Sequence, residues 1–204
     1  TDTDTDTDTD TDTDALVEGR SADYSYVLDW SIAEITEPPG VGALLGKYTD
    51  MPTLLGMIDI SRSESDLIVG HGTKADPAIQ DTDRATKTWA AVTKDGLDFS
   101  ADIGDETLIF DGSSMSVESM TLKGSLSSDR SAITRGSFTF LANVSFAMDL
   151  LKLSTAEEVC ELISAFGVSC VECSDGSTEC VTVTYQGVSG ALEKSLTIVE
   201  LEEP

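Results

Sequence analysis

The sequence predicts an all-β protein: a β-sandwich or jelly-roll-like body with one short α-helix and an extended N-terminal repeat strand. Apolar and polar residues alternate in short segments that recur every ~8–12 residues, a spacing typical of sandwiches and barrels. Turn signals containing glycine separate these segments. The 3.6-residue period of an amphipathic helix stands out in one place only.

The alternating segments define the predicted strands. They cover residues 24–35 (one strand or a bent pair), 54–61, 65–69, 89–92, 97–103, 107–110, 115–122, 132–133, 137–148, 180–185 and 195–201. Turns are expected at 94–96, 104–105 and 111–112, where Asp and Gly cluster. The polar stretch 74–87 is expected to be a surface loop, and 186–194 a link between the last two strands.

A helix is predicted over residues 155–166. Ser154 and Thr155 each stand three residues before a glutamate, so two overlapping capping boxes are available. Apolar residues then recur at helical spacing: Val159, Leu162, Ile163 and Phe166. Gly167 follows at the position that favours a left-handed residue, which ends the helix.

Charge and organisation restrict the class of protein. The formal net charge is −26, and leaving out the seven aspartates of residues 1–14 gives −19 for the rest. Such acidity disfavours nucleic acid and anionic membrane surfaces as partners, and no apolar run reaches the ~18 residues of a transmembrane segment. We divide the chain into a repeat stalk (1–14), a β-rich body (15–153) and a C-terminal part (154–204) expected to belong to the same domain.

All four cysteines lie within the C-terminal part, at Cys160, Cys170, Cys173 and Cys180. A four-thiolate zinc site is one interpretation, but the spacing provides only one C-x-x-C pair. Disulfides are favoured because the count is even and the chain is acidic and secreted in character. Of the three possible connectivities we prefer Cys160–Cys170 with Cys173–Cys180. Such bridges imply an extracellular or cell-surface location.

Residues 1–14 alternate Thr and Asp without interruption. In a β-strand this period places all Asp on one face and all Thr on the other. A row of carboxylates suits Ca²⁺, so the predicted metal ligands are Asp2, Asp4, Asp6, Asp8, Asp10, Asp12 and Asp14. The Thr hydroxyls are predicted O-glycosylation sites: Thr1, Thr3, Thr5, Thr7, Thr9, Thr11 and Thr13. A disordered, self-repelling tether is the alternative that composition alone favours.

The repeat resembles the short-period Thr/Asp segments of secreted bacterial surface proteins and of extracellular glycosylated fibrils. The resemblance covers only residues 1–14. It implies cross-linking of chains by Ca²⁺ and a coat of sugars on the Thr row.

The sequence offers little for catalysis, and we expect no enzyme. His71 is the only histidine and lies in a glycine-flanked turn without a matching nucleophile motif, so a surface histidine is expected. Nothing singles out two carboxylates as a hydrolytic pair. Two further acidic clusters, at 76–83 and 95–106, are considered as Ca²⁺ sites, but they lack the spacing of an EF-hand and are expected to be solvated strand ends and turns.

The leading functional hypothesis is a structural subunit of an extracellular fibre or surface appendage. The Thr-Asp strand would join copies of the chain through Ca²⁺, with residues 15–17 or the C-terminal strand as a donor for strand addition. The alternative is a surface-anchored β-sandwich that binds a glycan or lipid, held on an acidic tether. Trp30 and Trp89 are the candidates for stacking on a sugar in that case, although burial in the core is the simpler expectation for both.

Overall fold

The computed structural model describes residues 17–38, 51–59, 64–110 and 113–202. The repeat, with its predicted metal and glycosylation sites, lies outside these ranges. The strands are β1 Val17–Ser21, β2 Tyr24–Asp29, β3 Glu34–Glu37, β4 Leu54–Ile58, β5 Glu64–Gly70, β6 Lys87–Asp95, β7 Asp98–Phe110, β8 Ser113–Leu126, β9 Ala132–Asn143, β10 Cys180–Leu192 and β11 Val199–Glu202. The helices are α1 Phe146–Leu151 and α2 Ala156–Ser164.

Eight antiparallel strands form a closed barrel in the order β2-β4-β5-β6-β7-β8-β9-β10. The ring closes where β10 pairs with β2, with Gly190 opposite Leu28 and Leu192 opposite Tyr26. An earlier part of β10 pairs with the short strand β3. The all-β class is therefore confirmed. The sandwich arrangement is not, since one sheet curves round to meet its own edge instead of two sheets stacking face to face.

Apolar side chains fill the barrel because each strand alternates inward and outward residues. In β9, for example, Phe138, Phe140 and Ala142 are buried while the residues between them are partly exposed. Their partners across the ladder to β10, Tyr185, Val183 and Val181, are buried too. Inward residues of neighbouring strands thus meet in register, which gives one continuous core.

Residues with positive φ mark irregularities in the four long strands. Gly104 (φ 77°) and Ser119 (φ 52°) lie in β7 and β8, and Arg135 (φ 52°) and Gly187 (φ 83°) lie in β9 and β10. The ladder registers shift at or beside each of them. Bulges of this kind increase twist and bend a strand, which helps a sheet to close. The turn predicted at 104–105 and the link predicted at 186–194 were therefore wrong, because these glycines bend continuous strands.

The helical prediction is confirmed, and a second helix was missed. Thr155 Oγ1 accepts a hydrogen bond from the Glu158 amide at 3.2 Å, and Glu158 Oε2 accepts one from the Thr155 amide at 3.3 Å, which completes a capping box. Gly167 has φ 79°, as expected of the residue that ends a helix. The strand predicted over 137–148 ends at Asn143, and α1 follows.

A smaller apolar cluster covers part of the outer surface of the barrel. Leu54, Ile68 and Ile198 are fully buried and pack together. Ile198 precedes β11, which pairs with β1 in a separate two-stranded sheet, with Val17 opposite Glu202. Leu201 of β11 is tied to Thr86 by hydrogen bonds in both directions, Thr86 N–H to Leu201 O at 2.9 Å and Leu201 N–H to Thr86 Oγ1 at 2.8 Å. This sheet is thereby fixed to the segment that leads into β6.

Both disulfides are present with the preferred pairing, Cys160–Cys170 and Cys173–Cys180. The first joins α2 to the segment that follows it, and the second closes the loop before β10. A bridged sulfur is not a thiolate ligand, so the four-thiolate zinc interpretation was wrong. Neither of the two described helices is long and apolar enough to cross a membrane.

Candidate functional site

A cavity of about 440 Å³ opens at the end of the barrel where β5 ends and β6 begins, and we call it the mouth pocket. Its apolar floor comes from inward-facing strand residues, and its charged rim comes from the chain between β5 and β6 and from β7. The floor consists of Val69, Trp89, Leu108, Met120 and Phe138. The rim consists of His71, Asp83, Arg84, Lys87 and Glu106.

The floor is held in place by barrel packing. Val69, Met120 and Phe138 are each no more than 5% exposed, so their surfaces towards the cavity belong to the rigid core. The Trp30 ring packs on Phe138 with a centroid distance of 5.1 Å and meets Tyr185 edge-on at 5.8 Å. Its indole N–H donates to the Pro52 carbonyl at 2.8 Å, and Pro52 forms part of the pocket wall. Trp30 therefore supports the pocket from behind.

The connection from β5 to β6 positions the cationic side of the rim. His71 O accepts from the Asp81 amide at 2.8 Å, and the Gly72 amide donates to Thr53 Oγ1 at 2.7 Å. At Gly72 a Cβ would lie 2.3 Å from the Pro77 carbonyl oxygen, so the loop packs closely on itself there. This loop matches the polar surface segment predicted over 74–87, except that Lys87 already belongs to β6. The loop comes back to the rim of the pocket at Arg84, and the chain then enters β6.

Arg84 and His71 form a hydrogen-bonded pair at the rim, with Nη2 of Arg84 3.0 Å from Nε2 of His71. A guanidinium only donates hydrogen bonds, so His71 Nε2 must accept this one. The imidazole is then neutral, with its proton on Nδ1. The positive charge of the pair stays on the guanidinium, at the edge of the apolar floor.

Lys87 and Glu106 form the second pair of the rim, with Nζ 3.2 Å from Oε2. The Lys87 side chain is 65% exposed, whereas that of Glu106 is 15% exposed. An ion pair with so exposed a member contributes little to stability and is easily rearranged. The Lys87 ammonium is thus the solvent-facing member of this pair, at the edge of the cavity.

Aspartates of the acidic cluster 76–83 cap turns, whereas the cluster 95–106 runs from the end of β6 into β7. Asp76 Oδ1 accepts from the Ala78 amide at 2.9 Å, and Asp81 Oδ1 accepts from the Asp83 amide at 3.2 Å. Asp98 accepts a short hydrogen bond from Ser125. Within the described ranges, the one group of three potential metal ligands is Glu118 with Cys173 and Cys180. Those two sulfurs are bonded to each other, so that group does not form an ordinary metal site.

Sequence reasoning missed most of this pocket. His71 was expected to have no special role, yet it lies on the rim, and Arg84, Lys87 and Glu106 were not singled out. Trp89 was named as a stacking candidate, and the structure places it in the floor. One signal was available: Arg84 and Lys87 lie three residues apart in a chain with only twelve Lys and Arg against 38 acids. Their meeting with Glu106 and the floor depends on barrel closure, which no local pattern reveals.

Comparison with known protein families, with curated proteins and with solved structures finds no match to this chain.

Proposed function

We propose that this protein binds a small amphipathic molecule of the fatty-acid class in the mouth pocket, with the carboxylate at the rim and the hydrocarbon on the floor. The observation that carries this proposal is the combination of an apolar cavity with Arg84 and Lys87 at its edge, in a chain of net charge −26. It develops the lipid-binding alternative of the sequence analysis, with a barrel in place of a sandwich.

The dimensions of the pocket support a ligand of this kind. Eight-stranded barrels have an interior that is either filled by side chains or able to hold one small ligand. The volume of about 440 Å³ falls in the range of small-molecule pockets, roughly 300–1,000 Å³. The floor supplies apolar surface from Trp89, Leu108 and Phe138, which favours hydrocarbon because burial removes it from water.

The rim supports an anionic head. A guanidinium and an ammonium both form charge-assisted hydrogen bonds with a carboxylate. Lys87 is mostly exposed and its partner Glu106 is mostly buried, so the ammonium is the mobile member of that pair. A ligand carboxylate placed between Arg84 and Lys87 would gain both contacts while its chain entered the cavity.

The test is a titration with a dansyl-labelled fatty acid, following probe fluorescence and the quenching of tryptophan. We expect saturable binding of one probe per chain. Lys87→Gln should weaken binding about two- to fivefold, the effect of one exposed ionic contact. The matched control is Lys123→Gln, which removes the same charge from an exposed outward position of β8 and should leave affinity unchanged. Leu108→Trp, which fills the floor, should abolish binding.

Head-group specificity is tested with a fatty acid, alcohol and amine of equal chain length. The proposal predicts that the acid binds most tightly. Preference for the amine would show that Asp83 and Glu106 dominate the rim, which would overturn the assigned head group. Equal loss of binding in Lys87→Gln and Lys123→Gln would show a general charge effect instead of a site.

The fibre hypothesis stays a prediction, based on the period-2 repeat and on the lack of a catalytic motif in the sequence. Ca²⁺ bridging by the Asp row and O-glycosylation of the Thr row concern residues outside the described ranges. The C-terminal strand, considered as a donor for strand addition, pairs with β1 of its own chain. An extracellular or cell-surface location is part of our proposal, and the two disulfides support it because such bridges persist in oxidising compartments. Gel filtration separates the two functions, since a ligand-binding module is expected to be monomeric.

A further inference from the structure

We propose that the outer face of α2 docks a basic amphipathic segment of another protein. An apolar row on this face would contact the apolar side of that segment, and a row of carboxylates beside it would contact its lysines or arginines. The inference does not rest on the proposed function, since the residues that carry it lie outside the mouth pocket.

The apolar row consists of Leu162 and Phe166, which are 41% and 71% exposed. Among the described residues seven large hydrophobic side chains are exposed, and four of them fall within residues 151–171. Apolar residues scattered singly over a surface are ordinary, whereas a group of them indicates an interaction site. The Phe166 amide donates to the Ile163 carbonyl at 3.0 Å, so the helical path extends to Phe166 and places it one turn beyond Leu162.

Three glutamates beside this row are available for a partner. They are exposed, and none forms a hydrogen bond or ion pair through its side chain with another described residue: Glu157, Glu161 and Glu172. Glu158, by contrast, is occupied by the capping box. Residues 151–180 contain six acids against one cation, Lys152, so the region does not balance its own negative charge.

Helix geometry and the first disulfide hold the three carboxylates along one flank of α2. Glu161 and the glutamate one turn before it share this flank, about 100° around the helix from Leu162. Cys160, next to Glu161, is bonded to Cys170, with 5.8 Å between their Cα atoms. Glu172 follows Cys170 by two residues, so at most about 7 Å of chain separates it from the bridge. The carboxylates and the apolar row therefore lie side by side.

The face is rigid before any partner binds. Val159 and Val168 are 1% and 5% exposed on the core side of the helix and its following segment. The capping box fixes the start of α2, and the disulfide ties the helix to the chain that follows it. Because a preformed surface loses little conformational freedom on binding, few contacts are spent on ordering it.

Charge decides which partner fits. A second copy of this chain would present the same carboxylates and a net charge of −26, and an anionic membrane would also repel the face. A basic amphipathic segment would instead pair its cations with the glutamates and lay its apolar side on the apolar row. Aromatic side chains at the centre of an interface contribute much of the binding energy, so Phe166 is the expected anchor.

The first test titrates a leucine–lysine peptide of about 14 residues, designed as an amphipathic helix, into the isotope-labelled full chain. We expect saturable binding, with the largest amide NMR shifts in residues 157–172. A peptide of the same composition in scrambled order has the same charge without an apolar side, and it should bind at least about fivefold more weakly. Equal affinity of the two peptides, or largest shifts outside 157–172, would overturn the proposal.

The second test replaces the anchor. Phe166→Ser should weaken binding of the amphipathic peptide at least about tenfold, as expected for an aromatic residue at the centre of an interface. The matched control is Leu97→Ser, which removes a side chain that is 39% exposed in the turn between β6 and β7 and should leave affinity unchanged. Circular dichroism checks that both variants unfold at the temperature of the unchanged protein. Equal affinities of the two variants would contradict the proposal.

The third test replaces charges in pairs. Glu157→Gln with Glu161→Gln should weaken binding about three- to tenfold, the effect of two exposed ionic contacts. Glu34→Gln with Asp102→Asn removes two charges from exposed positions of β3 and β7 and should leave affinity nearly unchanged. Equal losses in the two double variants would show a general attraction to an acidic protein, and the proposal would fail.

A neutral lipid surface is the competing occupant. We expect the unchanged protein to stay in solution when phosphatidylcholine vesicles are sedimented, because the carboxylates beside the apolar row resist desolvation. Sedimentation with the vesicles that is lost in Phe166→Ser, without binding of the peptide, would assign the apolar row to a membrane and overturn the proposal. The outcome of the fatty-acid titration has no bearing on these results, since the two surfaces are separate.

Discussion

Gly136 of β9 lies opposite Val188 of β10, and a Cβ on Gly136 would come within 2.6 Å of the Val188 carbonyl oxygen. The register of the β9–β10 ladder shifts on both sides of Val188. Arg135 and Gly187, with φ 52° and 83°, flank this contact. The two strands therefore approach closely where both bend, and a side chain at position 136 would meet the backbone of β10.

Gly136→Ala should destabilise the protein by about 1–3 kcal/mol, because the obstructing atom belongs to the backbone and cannot rotate away. Chemical denaturation followed by circular dichroism measures the change in the free energy of unfolding. Ser137→Ala, at the next position of β9, is the matched control and should change stability by less than about 0.5 kcal/mol. Equal effects of the two substitutions would contradict the close approach.

The two disulfides should contribute unequally to stability. They close loops with sequence separations of 10 and 7 residues, and loop entropy alone gives each about 2–3 kcal/mol. Cys173 and Cys180 are also 4% and 0% exposed, whereas the other two are half-buried. The double substitution Cys173→Ala with Cys180→Ala should thus lower the free energy of unfolding more than Cys160→Ala with Cys170→Ala does. A larger loss of stability for Cys160→Ala with Cys170→Ala in urea denaturation would contradict the expectation that the buried bridge stabilises the protein more.

The local elements could be predicted from the sequence where one pattern had one structural meaning. The capping box at Thr155, the apolar spacing of α2 and Gly167 all favour the same helix, and the structure contains it. The preferred one of the three possible disulfide pairings is the one that the structure contains. Residues 24–35, predicted to be one strand or a bent pair, contribute to the two strands β2 and β3.

Strand ends were predicted wrongly at glycine positions, because glycine with positive φ occurs both in turns and in β-bulges. Gly104 was placed in a turn and Gly187 in a link between strands, but each lies inside a strand of 13 residues. The strand predicted over 115–122 stops before Gly124, although β8 continues past this glycine to Leu126. There the ring of Phe99 covers the glycine, and a Cβ would lie 2.6 Å from its Cζ.

Barrel closure could not be predicted, because the decisive pairing joins distant parts of the chain. Sandwich and barrel strands share the same alternation, and only the β2–β10 ladder distinguishes them here. The mouth pocket could not be predicted for the same reason. Its rim joins the β5–β6 loop to Glu106 of β7, and its floor joins Val69 to Phe138, contacts that exist only once the sheet has closed.

The turn between β8 and β9 should be sensitive to acid through Asp129. Its carboxylate accepts hydrogen bonds from the Ser127 and Ser131 hydroxyls at 2.7 Å each, which lower the pKa of Asp129 from 3.8 to about 2. A pKa lowered on folding means that this contribution to stability is present above about pH 4 and is lost as the pH falls towards 2. Ser127→Ala with Ser131→Ala should move the NMR titration of the Asp129 carboxyl back towards 3.8. Titration of the unchanged protein near 3.8 would contradict these contacts.

Calcium tests the ion-bridged fibre directly, because that hypothesis assigns the bridging to the seven aspartates of the repeat. If the Asp row bridges copies of the chain, the mass by light scattering should grow when Ca²⁺ is added and fall again with a chelator, because carboxylate oxygens from more than one chain would complete each ion's coordination. The variant with all seven aspartates changed to Asn is the control and should not respond. A mass that stays that of one chain, 21.6 kDa, at millimolar Ca²⁺ would contradict the fibre hypothesis.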